Sequence, residues 1–173
     1  MSTILLCLAL TVFHEARGEP ILGQQAVAQV VLNRARIRGT TPCDAVLEKG
    51  QFSWHPERAV RAKRTAGRKE FLIVKAHLPT GKRGWVAALR AAKAALDSQN
   101  TFKDAEFFHA KRVKPGWKRR FVEVFRVGNH VFYARKGRNL TEKMAFVAPS
   151  GAIFERSLVI IGILFYLGAI INI

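Results

Sequence analysis

Residues Thr3–Arg36 read TILLCLALTVFHEARGEPILGQQAVAQVVLNRAR, and the stretch divides into two helices. The run from Thr3 to Phe13 is apolar. Its helix is predicted to continue to Ala16, where Gly18 and Pro20 stop it. No basic segment precedes the run, and His14-Glu15-Ala16-Arg17 follows where a cleavage site would need small residues. The run is also too short to span a bilayer, so it reads as a buried core helix rather than an export signal. The second helix is predicted from about Gly23 to Arg36. Ala26, Val27, Val30 and Val31 face inward with Leu32 at the flank, and Gln24, Gln25, Gln29 and Arg36 face outward.

Further along, Thr41-Pro42 has the form of an N-cap followed by proline at the first helical position. It opens a short helix through Glu48 that Gly50 ends, and Gln51-Phe52-Ser53-Trp54 follows as a loop. His55 to Arg83 is a basic insertion, expected to be irregular apart from a short strand at Phe71 to Val74. Gly84 to Leu96 is an Ala-rich amphipathic helix with Arg90 and Lys93 outside. After Asn100 the period changes. Glu106 to His109 reads as a strand. Phe121–Val127 and His130–Ala134, joined by Gly128-Asn129, read as a β-hairpin. Helices first and a small antiparallel sheet afterwards argue for an α+β domain over residues 1–135. A polar linker over 136–156 and a tail over 157–173 complete the chain. No charged side chain stands between Ser157 and Ile173, so the tail is expected to be an apolar C-terminal helix that spans a membrane. Arg135, Lys136, Arg138 and Lys143 precede it, which by the positive-inside rule places the domain on the cytoplasmic side.

The formal net charge is +17. Such a field favours anionic partners, whether nucleic acid, anionic lipid or a cell envelope, without choosing among them. Cys7 and Cys43 form no CxxC and no dense framework, so neither a disulfide scaffold nor a zinc ribbon is indicated. They are expected to remain unpaired, with Cys7 a buried small hydrophobe. His14-Glu15 begins a zinc-protease motif, but Gly18 occupies the place of its second histidine. His14, His55, His77, His109 and His130 have no ligand spacing, so neither a metal nor another cofactor is expected. GxSxG and P-loop motifs do not occur.

Glu15 and Glu19 stand near the end of the first helix. A carboxyl group at a helix end beside a cleft has its pKa raised by partial burial, which keeps a proton available for a leaving oxygen near neutral pH. Aromatic residues at Phe52, Trp54, Phe107, Phe108, Trp117, Phe132 and Tyr133 could stack on sugar rings or on bases. Gln51, Ser53, His109 and Asn129 supply polar companions.

The segments Phe13–Pro20 and Gly23–Arg34, followed in order by Cys43 and Val46, Gln51-Phe52-Ser53-Trp54, Phe108-His109-Ala110, Val113–Trp117 and Val127–Tyr133, resemble the SleB-type cell-wall hydrolases. The resemblance covers about Leu5 to Tyr133. It implies a lysozyme-like α+β domain acting on the glycan strands of peptidoglycan, as a hydrolase or a lytic transglycosylase, with Glu15 as catalytic acid. Gln51, Phe52, Ser53, Trp54, Phe108, His109, Asn129 and Tyr133 are expected to line or support the cleft. A two-carboxylate hydrolase would need a second acid opposite Glu15, for which Glu19 and Glu106 are the candidates. Two features depart from the family pattern, the basic insertion and the apolar tail. A tail that holds the domain inside cannot deliver it to peptidoglycan. Either the tail inserts the other way, or the enzyme reaches the wall by release or after the membrane is breached, as in phage lysis. The rival expectation is a non-catalytic basic protein binding nucleic acid or anionic envelope; with the resemblance in view, nucleic acid is the less favoured partner.

Overall fold

The computed structural model describes residues 1–98, 102 and 104–136. The expected linker and membrane tail lie outside them, as does any C-terminal apolar helix. Among the described residues no helix is long and apolar enough to cross a membrane.

The first helix, α1, spans Thr3–Ala16, with the Ser2 hydroxyl accepting from the Leu5 amide at 3.2 Å. Every residue from Cys7 to Phe13 is buried. Seven consecutive positions cover all faces of a helix, so α1 is surrounded rather than laid on a surface. The one polar side chain in that run, Thr11, donates to the Cys7 carbonyl at 3.1 Å and is thereby satisfied. Helix α2 spans Ile21–Arg38 and ends on Gly39, whose φ of +62° lets its amide turn back to the last carbonyls. The short α3, Pro42–Leu47, carries a capping box between Thr41 and Asp44. Helix α4, Trp85–Asp97, buries Ala88, Ala91, Ala92 and Ala95 against α1 and α2, and these small side chains let the three helices close up. Arg90 and Lys93 lie outside, as expected.

Gln24 and Gln29 do not face outward as their spacing suggested; each is only 5% exposed. Helix α2 touches α1, α3, α4 and the strand that begins at Phe107, so it has no broad solvent face. Its amides make internal bonds instead. Gln24 Nε2 donates to the Glu19 carbonyl at 2.9 Å and Gln29 Nε2 to Asn33 Oδ1 at 3.3 Å. Asn33 Nδ2 in turn donates to the carbonyls of Phe102 and Ala105 at 3.1 and 3.0 Å, fixing the approach to the sheet.

The basic insertion is not irregular. It contains an antiparallel hairpin of β1 (Val60–Thr65) and β2 (Arg68–Ile73), turning through Ala66 and Gly67 at φ +47° and +79°. Strand β2 is displaced from the expected Phe71–Val74. The register pairs Val60 with Ile73 and Ala62 with Phe71 on one face, and Arg61 with Leu72 and Lys63 with Glu70 on the other. The first face is the more apolar one, and Lys69 on the same side pairs with Asp44 of α3. A second, three-stranded sheet is formed by β3 (Phe107–Ala110), β4 (Phe121–Val127) and β5 (His130–Arg135), in the order β3-β5-β4 and antiparallel throughout. Its hairpin turns at Gly128-Asn129, where the sequence placed it.

Cys7 and Cys43 are joined in a disulfide between α1 and α3, with Cα atoms 5.5 Å apart. The expectation of two unpaired cysteines is therefore corrected. Their 36-residue separation hid a contact that arises only when α3 packs on α1.

Candidate active site

Glu15 lies in the last turn of α1 and is partly buried. Burial raises its pKa above the ordinary value of 4.5, and the nearby charge of Arg34 partly offsets that rise. The carbonyl end of a helix also disfavours a negative charge, which acts in the same direction as burial. No hydrogen bond or ion pair with another described residue ties the carboxyl group down.

The neighbouring His14 fixes the loop that follows α3. Its ring stacks on Trp54 with centroids 4.5 Å apart and planes within 4°. Burial, then the charges of Arg17 and Lys82, lower the His14 pKa, which favours the neutral ring. Phe52 packs beside Trp54 at 6.4 Å and lies under the Arg34 guanidinium at 5.7 Å. Two residues of the Gln51–Trp54 loop are thus held by α1 and α2. Ser53 is exposed, and no described contact draws it into this cluster.

An open cavity of about 410 Å³ lies between α2, this loop and β3. Gln51, Phe108, Arg34, Phe107 and Trp117 are among its walls. Gln51 and Phe108 were expected to line the cleft of Glu15, which is not itself among the residues lining this cavity. Phe107 and Trp117 belong to the aromatic set singled out from sequence, but Arg34 was not given a role. Its signal was faint: an arginine ending a Val-Val-Leu-Asn run on a helix assumed to have a polar side.

His109 and Tyr133 pack against Trp117 but are not among the residues that line this cavity. Their rings stack at 5.3 Å, and Trp117 packs edge-on against both. His109 Nδ1 is 2.8 Å from the Ala110 carbonyl, which can only accept, so Nδ1 carries the proton. In the neutral ring Nε2 then accepts from the Tyr133 hydroxyl at 3.0 Å. The pair orients the strand-side wall of the cavity. Burial, followed by the Glu123 carboxylate, pushes the Tyr133 pKa up, consistent with a phenol that keeps its proton for His109.

Asn129 contributes through its backbone. Its amide donates to Glu19 Oε2 at 2.6 Å, tying the β4–β5 turn to the start of α2. Gly128 is required there: its φ is +56°, and any Cβ would collide with the Glu19 carboxylate. Glu106, the other candidate second acid, is fully buried. Its carboxylate pairs with Arg135 at 3.1 Å, while its backbone carbonyl accepts from Arg34 Nε at 2.6 Å. Both carboxylates are engaged in holding the fold.

Comparison with known proteins adds two findings. The family described as Cell Wall Hydrolase matches residues 18–133. Among solved structures, the catalytic domain of the germination-specific lytic transglycosylase SleB from Bacillus anthracis matches with a TM-score of 0.55 and 21% identity, over 77% of this chain and 96% of that one. At that identity the likeness is one of fold. No curated protein matches.

Proposed function

We infer the reaction from one premise and one geometric observation: the chain belongs to the cell wall hydrolase family, and its partly buried acid ends a core helix with no described partner holding it. The chain cleaves the glycan strands of peptidoglycan, and Glu15 is the catalytic acid. Its proton passes to the glycosidic oxygen as the C1–O bond breaks, and charge develops on the sugar ring. Glu15, now a carboxylate, then takes the proton of the muramic C6 hydroxyl as that oxygen bonds to C1. The result is a 1,6-anhydro end, with no water consumed. Lytic transglycosylase chemistry of this kind needs one acid, and the engagement of Glu19 with Asn129 and of Glu106 with Arg135 supports it over a two-carboxylate hydrolase. Gln51, Phe52, Trp54 and Phe108 form or brace the cleft, and His109 and Tyr133 brace Trp117. Ser53 and the Asn129 side chain remain candidates as surface contacts to the glycan.

The rival reading as a non-catalytic basic binding protein draws no support from the family. Attachment to a membrane through residues 157–173 is part of the proposal, supported by their lack of charge.

Mass spectrometry of digested purified peptidoglycan tests the reaction type. Anhydro-muramic ends, lighter than reducing ends by one water, are expected. Products with only reducing ends, formed with incorporation of labelled water, would make the enzyme a hydrolase.

A further inference from the structure

Arg34 is only 5% exposed, yet few of its donors are used. A guanidinium carries five N–H donors, and burying them without acceptors is costly. Among the described residues Nε is bonded, to the Glu106 carbonyl, while Nη1 is buried with no partner. The planar group lies over Phe52 at 5.7 Å and over Phe107 at 5.5 Å, so its orientation is fixed by rings as well as by the Nε bond. Burial, reinforced by the charge of Arg38, lowers its pKa to about 10, while Glu106 and Glu15 oppose that shift. It remains a cation at neutral pH. If Arg34 served packing alone, an apolar side chain of similar volume would serve as well without stranding a donor.

Arg34 is also a wall of the cavity shared by Gln51, Phe107, Phe108 and Trp117. The space, about 410 Å³, falls within the usual range for a small-ligand site and would hold one substituted sugar. We propose that the terminal nitrogens of Arg34 form a substrate subsite, receiving a planar acyl oxygen of an amino sugar whose ring lies against Phe107 and Trp117. A guanidinium edge suits either the two oxygens of a carboxylate or a single amide carbonyl. Peptidoglycan offers both: the N-acetyl carbonyl on the sugar and the acyl and carboxylate groups of the stem peptide. The subsite rests on the reading of this chain as a peptidoglycan-cleaving enzyme. It assigns Arg34 to binding rather than to proton transfer.

The test uses the full chain carrying Glu15→Gln, so that glycan binds without turnover. Soluble glycan strands, with stems intact or removed by an amidase, are titrated into it and into the same chain carrying Arg34→Lys. Lysine keeps the charge but loses the planar edge, and binding is expected to weaken at least about tenfold. The Nη resonances of Arg34 should also shift on saturation, a readout that needs no Arg34 variant if Arg34→Lys fails to fold. Equal affinity for stripped and intact strands assigns the acyl oxygen to the N-acetyl group; weaker binding of stripped strands assigns it to the stem. Unchanged affinity of a folded Arg34→Lys chain, or unmoved Nη resonances at saturation, overturns the subsite and leaves the enzyme reading in place. Cleavage by the Glu15→Gln chain would instead remove the acid assignment without touching Arg34. A chain that binds no glycan would remove both.

Discussion

Peptidoglycan cleavage should fall by about 10²–10⁴-fold in Glu15→Gln, the range a positioned general acid contributes. Glutamine preserves the shape of the side chain and can donate a hydrogen bond, but it cannot transfer a proton to the departing oxygen. The same substitution has a second, opposite consequence for the fold. Burial raises the folded-state pKa of Glu15 above 4.5. The native state therefore binds this proton more tightly than the unfolded chain does, and linkage gives the sign. The contribution of Glu15 to stability is greatest below pH 4.5. It declines as pH climbs through the raised value and stays low beyond it. Above that raised value the wild type thus carries an ionised, partly desolvated carboxylate that glutamine does not. The variant should melt at or above the wild-type temperature at pH 7 while its turnover collapses, and that advantage should vanish at pH 4. Thermal unfolding at the two pH values, beside turnover of purified peptidoglycan, checks both halves. A variant that loses activity by unfolding would show a lower melting temperature instead.

Removing the disulfide should be the most damaging change to stability. Cys7 and Cys43 close a loop across 36 residues. Chain-entropy reasoning puts the constraint on the unfolded state at about 4 kcal/mol for a loop of that size, and native disulfides commonly contribute about 2–5 kcal/mol. Domains of this size are stable by about 5–15 kcal/mol, so the loss is a large share of the whole. Cys7→Ala with Cys43→Ala is expected to lower Tm by roughly 10 °C. Cys7 lies in the first half of α1 and Glu15 in its last turn, so the folded double variant, assayed well below its Tm, should keep activity within a few-fold of wild type. A change in Tm of under about 2 °C would show that the bridge adds little. Strong loss of activity without unfolding would show that it positions the acid.

The parts of this fold that sequence revealed share a property: their signal is local. Helix α1 begins and ends where its apolar run, Gly18 and Pro20 put it. The Gly128-Asn129 turn is visible because a left-handed residue between two alternating strands has few alternatives. The capping residues Thr41 and Pro42 announced α3. What stayed hidden depends on packing between distant elements. The hairpin of β1 and β2 escaped notice because Arg61, Lys63 and Thr65 alternate with Val60, Ala62 and Arg64, so polar residues occupy both faces and the period is blurred. The burial of Gln24 and Gln29 follows from helix α2 being enclosed by other elements, which its own spacing cannot reveal. The disulfide needed the α1–α3 contact. Glu15 is proposed as the acid on its place near the end of an apolar helix and on its motif. Arg34 could not be proposed from sequence, because the case for it lies in a missing partner, and a sequence does not show which donors go unused.

The claim on which the account rests is that Glu15 holds a proton where an ordinary glutamate would have lost it. Titration of its side-chain carboxyl carbon by NMR in the wild-type chain, set beside the pH dependence of kcat/KM on soluble glycan, tests this directly. The expected result is a midpoint above 4.5, with the high-pH decline in kcat/KM falling at that same midpoint. A carboxyl group that titrates at or below 4.5, with activity level across the pH range where it ionises, would contradict it.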